Sequence, residues 1–210
     1  MNFDVIPLFS RPVYISKFDV PEEIKQKLYS LEYTRMHADN GCTTTNDYVL
    51  NLEEFKQVKK EIEDRFHDYI DNAIGVDRYR EYPPLEFFIT NSWVVKHVRG
   101  DWGHKHSHQN AMFSGIVYLD VDDNTGEISF HDKENSDRLF PPSFFIPFKN
   151  SNLYSASSMA FKPKIGDIFF FPSNLEHSIS EHKSDRTRYA LAFNFWMRGK
   201  LGQFNGELIL

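Results

Sequence analysis

The hydrophobic period of this chain changes at Pro83-Pro84, and that change restricts the fold more than any other feature. Upstream, Ile24, Leu28 and Leu31 recur at helical spacing, as do Phe55, Val58, Ile62, Phe66, Ile70 and Ile74. Such spacing collects apolar side chains on one helix face. Pro21-Glu22-Glu23 opens the first helix, with φ preset and acidic groups at the positive end of the dipole. Asn51 is the expected cap of the second helix and Gly75 its end. The polar, turn-rich residues 37–50 between them predict a loop. Downstream the pattern shortens to β-rich runs: Phe87 to Val98, Met112 to Val121, Glu127 to His131, Ile168 to Pro172, and Arg188 to Met197. Gly- and Asp-containing turns separate them, and no helical period intervenes. Strands so connected form an antiparallel sandwich or jelly roll, with the two helices covering one outer sheet face.

The expected fold class is therefore mainly β (α+β), a jelly roll or double-stranded β-helix with N-terminal helices packed on one sheet. A chain of 210 residues fits a single domain. Residues 1–84 supply a strand and helices, and residues 85–200 the jelly-roll core. Prolines among residues 3–18 confine that stretch to a sheet edge, which could pair across a dimer or be capped by the prolines themselves. Residues 133–160, with Pro141, Pro142 and Pro147, are long for a connection and read as a lid or as a surface insertion. A formal charge of −6 offers no electrostatic footprint for nucleic acid. No run approaches the ~18 apolar residues of a membrane span. The N-terminus lacks the basic head of a secretory signal, and the one cysteine, Cys42, cannot form an internal disulfide. A cytoplasmic location is expected, and Cys42 is given no role.

Three histidines alternate just before an apolar run: His104, His106 and His108. Side chains at i, i+2 and i+4 of a strand share a face, so these can converge on one pocket. Neutral imidazole is a common nitrogen donor for Fe, Zn, Cu and Ni. The bland alternative is a polar loop. His177 supplies a partner, because it follows the buried-looking run Phe169-Phe170-Phe171-Pro172. His37, His67, His97, His131 and His182 read as structural or exposed. Arg188 opens the last strand, and its face continues with Ala190, Ala192 and Asn194. A guanidinium beside such a hollow suits bidentate capture of a carboxylate, although a surface arginine has the same spacing. Trp93, Trp102, Phe113 and the run Phe140 to Phe148 are candidate pocket walls or plain core.

Two motifs together carry a resemblance. The first is His106-Ser107-His108-Gln109-Asn110-Ala111-Met112-Phe113-Ser114-Gly115-Ile116-Val117-Tyr118. The second is Pro163 to Pro172 with Gly166-Asp167, followed by His177 and, eleven residues later, Arg188. Over about residues 86–196 the chain resembles the Fe(II)/2-oxoglutarate oxygenases, and among them the phage and bacterial branch related to the prolyl hydroxylases. The resemblance implies iron ligation by His106 and His177. It implies that Arg188 and Tyr118 hold the distal carboxylate of 2-oxoglutarate, with Asn194 as a further cosubstrate-binding residue. The implied reaction consumes O₂, hydroxylates a small-molecule or peptide substrate, and releases succinate and CO₂.

Position 108 departs from most of the superfamily, which uses H-x-D/E, whereas the phage and bacterial branch itself shows H-x-H-x-N. Either His108 is the third ligand, or it swings aside and Asp101 or Glu176 assists. Ligation is the favoured reading, since the i, i+2 geometry is unchanged. Two other functions compete: a three-His cupin-type dioxygenase without 2-oxoglutarate, and a non-catalytic jelly-roll module. The cupin glutamate is missing at Met112 or Phe113.

Overall fold

A computed structural model describes residues 4, 10–37, 40–132, 146–150, 152 and 154–210. Its main body is a pair of antiparallel sheets. In chain order the elements are β1 (Tyr14–Lys17), α1 (Glu22–Tyr29), β2 (Tyr33–Arg35), β3 (Cys42–Thr44) and α2 (Lys56–Asp68). Next come β4 (Glu86–His97), β5 (Gly103–His106), β6 (Phe113–Asp120), β7 (Ile128–His131) and β8 (Ser158–Phe161). The last are β9 (Asp167–Pro172), β10 (Glu176–Ile179), β11 (Arg188–Arg198) and a small hairpin, β12 (Lys200–Leu201) with β13 (Leu208–Ile209). The major sheet has the order β1-β9-β6-β11-β4-β3-β2, and the minor sheet β5-β10-β7-β8. This is the expected jelly roll.

Period-two alternation along each strand divides the molecule into two apolar layers. Leu191, Phe193 and Phe195 of β11, Val117 and Leu119 of β6, and Ile168 and Phe170 of β9 face the helices. Phe66 of α2 locks that layer: its ring stacks on Phe195 at 3.8 Å and meets Phe170 edge-on at 5.3 Å. The alternate residues, Tyr118, Phe169, Phe171 and Ala190, face the minor sheet, where Ile128 and Phe130 meet them. Between the sheets the packing is incomplete, and the gap is the cavity described below.

Several expectations change. The second helix does not start on Asn51. Two 3₁₀ turns, Val49–Asn51 and Glu53–Phe55, lead the chain into it, and the Asn51 side-chain Oδ1 instead accepts from Lys59 Nζ at 2.9 Å. At the far end Tyr69–Ile74 widens into a π-helical turn, closed by Gly75 at φ 80°. The wider turn swings Ile74 off the buried stripe, and it is exposed. Residues 37–50 are not all loop, because Cys42–Thr44 pairs with both β2 and β4. The consecutive threonines have the β-branched shape that suits a pleated surface. The expected N-terminal edge strand is β1, paired with β9 through Tyr14↔Phe170, while Val5 to Phe9 lie outside the described residues. Of the stretch expected to form a lid, residues 133–145, 151 and 153 also lie outside them. Its end, from Ser158, is strand β8 on the edge of the minor sheet.

One irregularity decides which side chains reach the cavity. Strand β4 pairs with β11 through Asn194↔Asn91 and then Phe195↔Ile89, which leaves Thr90 as a bulge. The extra residue reverses the alternation. Phe87 and Ile89 join the helix-side core, whereas Asn91, Trp93, Val95 and His97 line the cavity.

Candidate metal centre and cosubstrate pocket

The cavity between the sheets measures about 430 Å³. Its apolar wall includes Ile116, Ile128, Phe171 and Ile179, and His106, His108, His177 and Arg188 also open into it. Neighbouring strands bring the histidines together: His106 ends β5 and pairs directly with His177 on β10. His108 lies past the end of β5, where its backbone N–H donates to Ser173 O at 3.0 Å.

The ligand atoms of these three residues lie within 4.8 Å of one another. Each ring is held from behind through Nδ1. His106 Nδ1 donates to His104 O at 2.8 Å, and His177 Nδ1 to Leu175 O at 3.1 Å. His108 Nδ1 lies 2.6 Å from Asn194 Oδ1 and 2.8 Å from Ser114 Oγ. With the proton on Nδ1, each ring presents a bare Nε2, and those of His106 and His108 are 3.3 Å apart. Burial pushes all three imidazoles below their ordinary range, His177 to about 3, so each is neutral near pH 7. Three neutral nitrogen donors so oriented fit a first-row divalent metal.

His104, the first member of the alternation, is exposed, and its Nδ1 is hydrogen-bonded to Asn40 Nδ2 at 3.0 Å. It borders the cavity but stands outside the group of three. Neither acid joins that group. The Asp101 carboxylate is occupied by Arg35 Nη1 at 2.8 Å and the Val98 N–H at 2.9 Å. Burial would raise its pKa, but these hydrogen bonds hold it below the usual carboxylate range. Glu176 adjoins His177 on β10, where alternation directs it to the opposite face, and it pairs with Lys105 at 3.3 Å.

The other end of the cavity is built for an anion. Arg188 is 1% exposed, and its Nε and Nη2 have no hydrogen-bond partner among the described residues. Its guanidinium lies over the Tyr118 ring, 5.1 Å from the centroid, and the fully buried Tyr118 hydroxyl also lacks a partner. An unpaired buried guanidinium is costly unless a ligand completes it. Arg188 Nη1 lies 3.4 Å from His97 Nδ1. Burial first, and Arg188 second, push the His97 imidazole down to about 3, so it faces the guanidinium as a neutral acceptor. Of the two readings of His97, structural or exposed, the exposed one fails: it is buried and lines the cavity. The β4–β11 register that sets it opposite Arg188 is a tertiary fact.

Asn194 sits behind His108 and is not among the lining residues. Its Oδ1 accepts from Ser114 Oγ at 2.7 Å, and its Nδ2 donates to Asn91 Oδ1 at 3.0 Å. Of the expected wall aromatics, Trp93 lines the cavity with its ring 5.7 Å from that of His108. Phe113 packs on Phe66 in the helix-side layer, on the alternation phase of Val117 and Leu119. Trp102 is half-exposed and away from the lining, and Phe140 to Phe145 lie outside the described residues.

Comparison with known proteins now has a geometry to match. Residues 91–194 match the model of a family described as "Putative 2OG-Fe(II) oxygenase". This matched segment, residues 91–194, belongs to that family. The segment contains all three histidines, Tyr118 and Arg188. Solved structures share the fold. A Pseudomonas putida prolyl-4-hydroxylase aligns with TM-score 0.55 and 11% identity, over 90% of this chain and 94% of its own. A 2OG-Fe(II) oxygenase family oxidoreductase from Burkholderia pseudomallei gives 0.57 and 13%, over 82% and 75%. HygX from Streptomyces hygroscopicus, solved with nickel, 2-oxoglutarate and hygromycin B bound, gives 0.59 and 11%, over 88% and 82%. No curated protein shows significant sequence similarity to the chain. Among the described residues, no helix is long and apolar enough to cross a membrane.

Proposed function

We propose that this oxygenase domain binds Fe(II) through His106, His108 and His177, and 2-oxoglutarate through Arg188 and Tyr118, and hydroxylates a small-molecule or peptide substrate. The observation that carries the reading is one cavity holding both halves of the requirement. Three Nε2 atoms converge at one place, and a buried guanidinium with two unpartnered nitrogens opens into the same space. When bound, Fe(II) and 2-oxoglutarate activate O₂, place one oxygen atom in a substrate C–H bond and leave succinate and CO₂. The chain does the rest. Arg188 presents a planar fork to a carboxylate, Tyr118 adds a hydroxyl donor, and His97 restrains the fork from behind. Asn194 keeps the His108 ring turned toward its partners. Ile116, Ile128, Phe171 and Ile179 exclude water from the reacting region.

The test is an anaerobic titration of metal-free protein with Fe(II) and then 2-oxoglutarate, following the visible metal-to-ligand charge-transfer band. The band should grow in the wild type and vanish in both His106→Ala and Arg188→Ala. A three-His dioxygenase that uses no 2-oxoglutarate is the second reading, favoured by the lack of a carboxylate from the described residues in the histidine group. It gains if Fe(II) binds while 2-oxoglutarate leaves the spectrum flat. Binding of neither would leave a non-catalytic module.

A further inference from the structure

We infer that the amide of Asn194 makes position 108 specific for histidine, so that aspartate, the residue usual at this place across the wider Fe(II)/2-oxoglutarate oxygenase superfamily, would serve worse here. The inference rests on ligation by His108 and concerns what stands behind that ligand. Asn194 reaches His108 from β11, at the point where Asn194 pairs with Asn91 of β4 and Ser114 of β6. Both of those partners also bind its side chain. Nδ2 donates to Asn91 Oδ1 at 3.0 Å, which turns Oδ1 toward His108 Nδ1, 2.6 Å away. Ser114 Oγ, fully buried, lies within 2.8 Å of His108 Nδ1, 2.7 Å of Asn194 Oδ1 and 2.8 Å of Ser173 Oγ. The network therefore presents an acceptor to the back of residue 108. Ser173, through its backbone oxygen, also accepts the His108 N–H at 3.0 Å.

An imidazole meets that acceptor with its Nδ1–H and leaves Nε2 free for a metal. One hydrogen bond thus selects the tautomer and fixes the ring. A carboxylate at position 108 has no proton to offer. Its rear oxygen would face Asn194 Oδ1, acceptor against acceptor, in a buried place. The shorter side chain would also stop short of the point on which His106 and His177 converge. Asn194 is accordingly a positioning residue, its side chain taken up by His108, Ser114 and Asn91.

Co(II) and Fe(II) titration of the metal-free protein tests this without any turnover assay. Asn194→Ala should weaken metal binding about 10- to 100-fold, the range expected for loss of the group that orients a ligating histidine. Asn194→Asp keeps an acceptor toward Nδ1 and, with the Asn91 amide turned to offer its Nδ2 to the second carboxylate oxygen, should restore affinity to within about threefold of wild type, with a shifted Co(II) d–d spectrum. That rescue and shift would not arise from a merely structural role. His108→Asp should bind metal at least about tenfold more weakly than wild type. Equal or tighter binding by His108→Asp, or wild-type affinity in Asn194→Ala, overturns the inference. Thermal melts of the metal-free variants identify any that fail to fold, and for those Asn194→Ser, shorter but still polar, replaces the alanine with the same expected loss. A wild-type protein that binds no metal would instead defeat the ligation reading itself.

Discussion

At the scale of single residues, burial changes what each group can do. Arg188 on a surface would be a solvated cation worth little. At 1% exposure, with Nε and Nη2 unpartnered among the described residues, it is a buried cation whose proposed partner is the 2-oxoglutarate carboxylate. Removing one partner of a buried, hydrogen-bonded charge pair costs about 2–5 kcal/mol. Arg188→Ala should therefore raise the 2-oxoglutarate dissociation constant by about 30-fold or more, measured by calorimetry on Co(II)-loaded protein. Tyr118→Phe deletes one hydroxyl donor and should cost about 1 kcal/mol, about fivefold in the same measurement. Equal losses in the two variants would mean that the guanidinium is not the principal anchor. Both residues are visible in the motifs, but their lack of protein partners is visible only in three dimensions.

At the scale of elements, α2 supports the site without touching it. Phe66 is fully buried and meets Phe87, Phe113, Phe170 and Phe195 across the outer face of the major sheet. Replacing it with alanine should destabilise the fold by about 3–5 kcal/mol in urea unfolding, the usual range for a buried Phe. Metal affinity of the folded fraction should be unchanged, since Phe66 lies on the far side of the sheet from the histidines. Strand β6 is less forgiving. A Cβ at Gly115 would come within 2.3 Å of the Phe193 ring and 2.8 Å of the Phe169 backbone oxygen. The ring can shift, but the backbone of β9 cannot move without disturbing the neighbours of His177. Gly115→Ala should thus lower both stability and metal affinity, and a loss of stability alone would place the strain elsewhere.

At the scale of the whole molecule, the buried neutral histidines set a response to acid. His97 has its pKa depressed from 6.5 to about 3 in the folded protein, by burial and then by Arg188. Between those values the unfolded chain holds a proton there that the folded protein does not. Stability supplied by neutral His97 is complete above pH 6.5 and falls as the pH drops toward 3, by up to ~1.4 kcal/mol per unit. Chemical denaturation of metal-free protein at pH 7.0 and about 5 should show this slope. His97→Gln should make it shallower; an unaltered slope would show that His97 titrates normally.

Much of this protein is written in the chain itself. The change of period at Pro83-Pro84 separates the two helices from the long run of strands, with only the short β1, β2 and β3 upstream of it, and period-two alternation names the core faces. The two histidine motifs with Arg188 point to the chemistry, although strand alternation does not choose the ligands: β5 ends at His106, His108 lies beyond it, and His104 on the strand stays outside the group. Other features depended on the tertiary structure. The bulge at Thr90 reverses the phase of β4, and without it Asn91, Trp93, Val95 and His97 would follow Phe87 and Ile89 to the helix side. Register between β4 and β11 sets His97 opposite Arg188 and Asn91 opposite Asn194, pairs separated by ninety or more residues. Local pattern encodes which face of a strand is apolar. Which strand lies opposite, and in which register, is settled only when the sheets close.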